Sequence, residues 1–142
     1  MRILAVDPGE KRIGLALSDP TGSIATPLAI LEHVSRPIDA AAIAQMAADN
    51  RAGCILVGQA LGVDNQPTFQ SRRAVRLAKA IQQQTDLPVL IWDESGSSQA
   101  AREARIQAGI SRSRRREHLD DLAAAAILQS YLDAGSPPSP IP

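Results

Sequence analysis

The sequence predicts an α/β fold: one mixed five-stranded sheet with helices on both faces. Two observations carry that expectation. Three short apolar runs come first, separated only by Pro-Gly and Asp-Pro-Thr-Gly turns, which is the pattern of an antiparallel meander. Helical and strand-like segments then alternate, and such β-α-β crossovers return parallel strands to one sheet with right-handed connections. The chain has 142 residues, enough for one domain with its own core. The expected division is a domain over 1–134 and a disordered Pro/Ser-rich tail over 135–142, "GSPPSPIP".

Each element has its own local reason. "RILAVD" (2–7) is an apolar run that suits a strand buried on both faces. "IGLALSD" (13–19) puts Ile13, Leu15 and Leu17 on one face, as an antiparallel partner should. "SIATPLAIL" (23–31) is the third strand, and Pro27 assigns it to an edge. "IDAAAIAQMAADN" (38–50) is helical by propensity, and "CILVG" (54–58) is a buried strand. In 68–84, Ala74, Leu77, Ala78 and Ile81 form the i, i+3, i+4, i+7 stripe of an amphipathic helix. "PVLIWDE" (88–94) is the fifth strand. A helix over 97–109, a basic loop "SRSRRREH" and a final helix over 119–133 complete the order. In this arrangement the first strand is central.

Composition removes several function classes. Fifteen basic and fifteen acidic side chains cancel, so only local clusters can argue for nucleic acid. Aromatic residues make up 2% of the chain, too few for a base-stacking platform. Cys54 is the single cysteine, which excludes an internal disulfide, and no Cys/His spacing suits zinc. Its place in "GCILVG" is that of a small buried strand residue. No apolar run is long enough for a membrane span, and a cytoplasmic protein is the expectation.

Acids stand at element ends: Asp7 after the first strand, Asp93-Glu94 after the fifth, Asp120-Asp121 at the start of the last helix. Each taken alone reads as a cap or a solvated end, and at the helix start the dipole favours acids anyway. The apolar run 122–128 does not say which of Asp120 and Asp121 faces inward. Brought together, such carboxylates repel and call for a cation, and an all-oxygen donor set favours Mg²⁺ or Mn²⁺. Asp7 is the hardest to dismiss, because the end of a central strand is costly for an unpartnered carboxylate. Its turn, "DPGEKRIG", carries Gly9 and Gly14, which permit close approach of a backbone or ligand. Asp-x-Gly turns of this kind occur in metal-dependent nucleases with a ribonuclease-H-like sheet and in two-lobed actin-like and sugar-kinase ATPases. One copy of this length favours the nuclease.

Phosphate contacts have two sources. Arg72, Arg73, Arg76 and Lys79 lie opposite the apolar stripe of their helix, where a solvated face is the ordinary meaning. Arg112, Arg114, Arg115 and Arg116 crowd the segment before Asp120, with Arg102 and Arg105 on the preceding helix, and make the stronger case.

"DPGEKRIGLALSD", "ILVGQALGVDNQPTFQSRRAVRLAKAI", "VLIWDES" and "LDDLAAAAILQSYLD" together resemble the YqgF/RuvX family. These are pre-16S rRNA nucleases related to Holliday junction resolvases of the RuvC type. The similarity runs from Arg2 to about Asp133. It implies a ribonuclease-H-like fold, metal-dependent hydrolysis by two Mg²⁺ or Mn²⁺ ions, and trimming of the 16S rRNA precursor at its 5′ end. Matched by position, Asp7, Glu94 and Asp120 are the catalytic, metal-binding acids. Lys11 and Arg12 at the turn, with Arg114, Arg115 and Arg116, are expected to meet the substrate. The chain departs from the family at "DESGSS", where Ser95 and Gly96 replace Arg and Leu, and at Gly58-Gln59-Ala60-Leu61, where Gly-Leu-Pro-Leu is usual. Without that arginine the site lacks a bidentate phosphate clamp. Two other readings stay open: a resolvase-like DNase acting on branched DNA, and a non-catalytic nucleic-acid or transcription-associated module that keeps the fold.

Overall fold

The computed structural model describes residues 1–59, 67–93 and 112–134, with backbone alone for 112–121. Its elements run β1 (Arg2–Asp7), β2 (Arg12–Ser18), β3 (Ala25–Glu32), α1 (Arg36–Asp49), β4 (Ala52–Gln59), α2 (Phe69–Gln82), β5 (Val89–Asp93) and α3 (Arg112–Ala134). The five strands form one sheet in the order β3-β2-β1-β4-β5, so β1 is central as expected. β1–β2 and β2–β3 are antiparallel, while β1–β4 and β4–β5 are parallel. Pro27 falls on the edge strand β3, where its missing N–H costs no ladder bond on the open side.

One sequence expectation is overturned. The run "RSRRREH" is not a loop: it is the first part of α3, a single helix of 23 residues. Arginine is a good helix former, and Ser113 within the run does not break it. The expected helix over 97–109 and the tail over 135–142 lie outside the described residues.

β1 is apolar along its length because both faces are covered, and its side chains alternate between two cores. Leu4 and Val6 pack with Ile13, Leu15, Ile55, Val57 and the buried stripes of α1 and α2. Ala74, Leu77, Ala78 and Ile81, the stripe read from periodicity, are all buried there. Ile3 and Ala5 face the other way, into a core with Cys54, Leu56, Leu90 and Ala124, Ile127 and Leu128 of α3. Cys54 is buried, and burial pushes its thiol upward, as suits a packing residue.

Local caps fix the connections. Ser35 accepts the Ile38 N–H and opens α1, with Pro37 in its first turn. Thr68 and Ser71 form a reciprocal capping box at the start of α2. Gly9 is required by the β1–β2 turn, since a Cβ there would collide with the Arg12 carbonyl oxygen. Asp19 holds the next turn: its carboxylate accepts from the Thr21 hydroxyl and from the N–H groups of Ser23 (2.7 Å), Ile24 (2.8 Å) and Thr21 (3.3 Å).

Candidate functional site

Asp7 ends the central strand beside Gly14 of β2, half-buried. The alternation of β1 assigns it a face: Ile3 and Ala5 belong to the α3 core, and Asp7 is next in the period of two. Gly58 lies level with it on β4, since Val6 pairs with Val57. A Cβ at Gly58 would come within 2.6 Å of Ile127 Cδ1, so the glycine lets α3 settle onto the sheet beside Asp7.

The course of α3 follows from its contacts. Ile127 meets Gly58 near the C-terminal ends of β1 and β4. Gln129 reaches the far end, accepting the Ala25 N–H at 3.0 Å and donating to the Ser23 carbonyl at 3.2 Å. Trp92 of β5 donates its indole N–H to Ser130 Oγ at 3.0 Å and stands edge-on to Tyr131, with ring centroids 5.4 Å apart. The helix is therefore pinned from both outer strands.

β5 ends in Asp93. Leu90 and Trp92 pack toward α3, so Asp93 falls on the opposite face and is exposed. Glu94 lies outside the described residues, as does Ser95. Asp120, Asp121, Arg114, Arg115 and Arg116 lie in the helical backbone of α3, and their side chains are outside the description. Lys11 and Arg12 are exposed at the β1–β2 turn, Arg12 opening β2 opposite Glu32. Of the α2 cations, Arg72, Arg76 and Lys79 are solvated, as expected.

In donor chemistry Asp7 fits a hard divalent cation: it is a half-buried carboxylate at the mouth of parallel strands, where α/β sheets take their ligands. Among the described residues no three His, Cys, Asp or Glu side chains come together. A complete ligand set therefore needs residues beyond them.

Sequence reading missed His33 and Asp39. Asp39 is buried in the first turn of α1, bonded to His33 Nδ1 and to the Val34 N–H at 3.0 Å. No periodicity marks a contact that spans the β3–α1 connection. Its one signal is the pairing of a lone histidine with an acid just past a helix start.

Comparison with known proteins places this architecture. Residues 1–134 match the family model described as "RuvX: Holliday junction resolvase". The chain belongs to the RuvX family. A relative from Desulforamulus reducens, provisionally named a pre-16S rRNA nuclease, is 37% identical over 136 residues, covering 96% of this chain and 99% of the relative. A relative of the same name from Roseobacter denitrificans is 39% identical over 135 residues, covering 92% of this chain and 82% of its own. Among solved structures, Thermus thermophilus RuvC in complex with a Holliday junction substrate superposes with a TM-score of 0.61 at 18% identity, over 99% of both chains. Fowlpox virus resolvase, in complex with Holliday junction DNA, gives 0.55 at 16% identity, covering 94% of this chain and 98% of that one. These likenesses show the ribonuclease-H-like fold.

Proposed function

We propose that this RuvX-family chain is a metal-dependent nuclease that hydrolyses phosphodiester bonds, with the 5′ end of precursor 16S rRNA as its substrate. The observation that carries the reading is Asp7 on the α3 face of the central strand, at the parallel strand ends. The family's shared name for its relatives supports the substrate.

The ligand set is Asp7, Glu94 and Asp120, matched by position to the family's acids. Glu94 is the acid of "VLIWDES" that matches the family's motif, and Asp93 before it lies on the face away from α3. In α3, position 120 is four residues before Ala124 and seven before Ile127, position 121 stands the same way to Ala125 and Leu128, and all four are buried, so the match to the family's final-helix aspartate selects Asp120. Position 121 is rotated from it by about 100°. Seven residues also carry position 120 about 10 Å beyond Ile127.

Bound Mg²⁺ or Mn²⁺ would activate water and stabilise the leaving 3′ oxygen without a covalent intermediate. The chain's own residues do the rest. Asp7, Glu94 and Asp120 hold the charge that makes a cation stay, and Gly58 keeps α3 close enough for them to converge. Lys11, Arg12 and the Arg114–Arg116 run neutralise substrate phosphates on either side. Residues 1–134 act as the nuclease unit, in keeping with the extent of the family match, and 135–142 as an appended tail. Cytoplasmic residence suits an rRNA-processing role; no described helix is long and apolar enough to cross a membrane.

The test is cleavage of 5′-labelled precursor 16S RNA and of a labelled four-way DNA junction, with Mg²⁺, with Mn²⁺ and with chelator. Metal-dependent RNA cleavage supports the reading. Cleavage confined to the junction would make the protein a resolvase, and none on either substrate would sink the nuclease assignment.

A further inference from the structure

The sheet has a second concavity, on the side away from Asp7. A cavity of about 140 Å³ opens behind the β1–β2 turn, lined by Pro8, Gly9, Ile13, His33, Arg36, Asp39, Arg73 and Leu77. Ile13 and Leu77 belong to the α1/α2 core, which sets this cavity on the opposite face from α3. The turn itself thus separates the two features, with Asp7 before it and the cavity behind it.

The charge of the cavity is unbalanced toward the positive. Among the described residues Arg36 makes no hydrogen bond or ion pair, and Arg73 has one fixed contact, its guanidinium 5.2 Å from the centre of the Phe69 ring. A cation–π contact positions the guanidinium without neutralising it. Asp39 is 4% exposed, and both of its oxygens are engaged, one by His33 Nδ1 and one by the Val34 N–H. The aspartate is therefore occupied in holding the imidazole and the backbone ahead of α1. With Nδ1 engaged, the His33 ring presents Nε2 as its remaining polar atom. Two guanidiniums from separate elements, an oriented imidazole and an apolar floor around one open pocket match a compact, multiply charged oxyanion.

We infer that this cavity is a phosphate-binding pocket, in which Arg36, Arg73 and His33 hold a phosphate group and Asp39 positions His33. Arginine forks pair with phosphate through two parallel hydrogen bonds, and the cavity admits a group several times the size of a water molecule. The phosphate has two possible sources of the same chemistry: a terminal 5′-phosphate of an RNA strand, or a free phosphate ester such as a nucleoside monophosphate. This pocket is independent of the catalytic reading, because none of its side chains is a proposed metal ligand.

Binding is read by calorimetry and by amide chemical shifts in chelator, so that cleavage plays no part. The probes are inorganic phosphate, adenosine monophosphate, and a short RNA made with and without a 5′-phosphate. The parent should bind phosphate-bearing probes saturably. Arg36→Ala and Arg73→Ala should each weaken that binding about tenfold or more, the effect expected on removing one charge-assisted hydrogen bond. Asp39→Asn should weaken it through His33. Arg76→Ala, an exposed cation on α2 outside the cavity, should change it little and controls for net charge. Preference for the 5′-phosphorylated RNA over its hydroxyl form would identify an RNA end as the source. Equal binding of the two RNAs, with saturable adenosine monophosphate binding, would identify the free ester. Absence of saturable binding in the folded parent, or an Arg36→Ala, Arg73→Ala double variant that binds as the parent does, would overturn the proposal.

Discussion

Gly58 lies under Ile127: a Cβ on the glycine would stand 2.6 Å from Ile127 Cδ1 and 3.0 Å from its Cγ2. This close approach sets the height of α3 above the strand ends that carry Asp7, and it ties a core-packing detail to the candidate site. Gly58→Ala should therefore cost about 1–3 kcal/mol, the range for overpacking a close-packed core. Ile127→Val removes the methyl that comes closest. Combined with Gly58→Ala, it should cost less than the two single changes summed. Denaturant unfolding of the four proteins checks this. Strict additivity would mean that the helix does not rest on Gly58.

The neighbouring acids Asp93 and Glu94 should behave oppositely. Asp93 is on the face away from α3 and exposed, whereas Glu94 is the acid that matches the family's motif. Glu94→Gln should reduce cleavage by several orders of magnitude, and Asp93→Asn should leave it within a few-fold. Single-turnover rates on the same labelled RNA decide it. Equal reductions in both variants would remove the distinction between them.

Much of the architecture was legible because it rests on periodicity. The stripe Ala74–Leu77–Ala78–Ile81 is a helix signal that only one face can satisfy, and all four residues are buried. β1 shows the limit of that method. "RILAVD" is apolar on both faces, so hydropathy names the strand but cannot say which way Asp7 points. The packing of Ile3 and Ala5 against α3 decides that. The Arg112–His118 run misled in the opposite direction. Polarity and flanking serines suggested a loop, while the helix propensity of arginine and continuity with the apolar segment after it make it helix. His33–Asp39 left no periodic trace at all, because one residue ends a strand connection and the other begins a helix.

A helical basic run presents its charges differently from a loop. In α3 positions 114, 115 and 116 stand about 100° apart around the helix axis. Changing all three to Ala should weaken RNA binding and flatten its salt dependence by less than three arginine–phosphate pairs would contribute. Each such pair adds about 0.7–0.9 to the log–log slope. Titrations at several salt concentrations, in chelator, measure it. An unchanged slope would make the run a solvated helix surface.

Asp19 makes the acid limb of the stability profile predictable. The Thr21 hydroxyl first, then the Ile24 and Ser23 N–H groups, hold its carboxyl well below the usual carboxylate range. A depressed folded-state value means that its contribution is present at neutral pH, above the unfolded value. That contribution disappears as pH falls below about 4 toward the folded value. Asp19→Asn should lower the unfolding midpoint at pH 7, and the difference from the parent should shrink as pH drops through that window. A difference that is constant with pH would mean that the charge on Asp19 does not hold the turn.

Asp7 is proposed to hold a catalytic cation on the α3 face of the central strand. The most direct measurement is Mg²⁺- and Mn²⁺-dependent cleavage of labelled precursor RNA by the parent and by Asp7→Asn, with circular dichroism and unfolding midpoints confirming that both are folded. Asparagine keeps the shape and removes the charge, so the account predicts native-like folding and cleavage at least about a thousandfold slower, comparable to removing a major electrostatic contribution at the reacting centre. A folded Asp7→Asn protein that cleaves within a few-fold of the parent, with the same metal dependence, would contradict it.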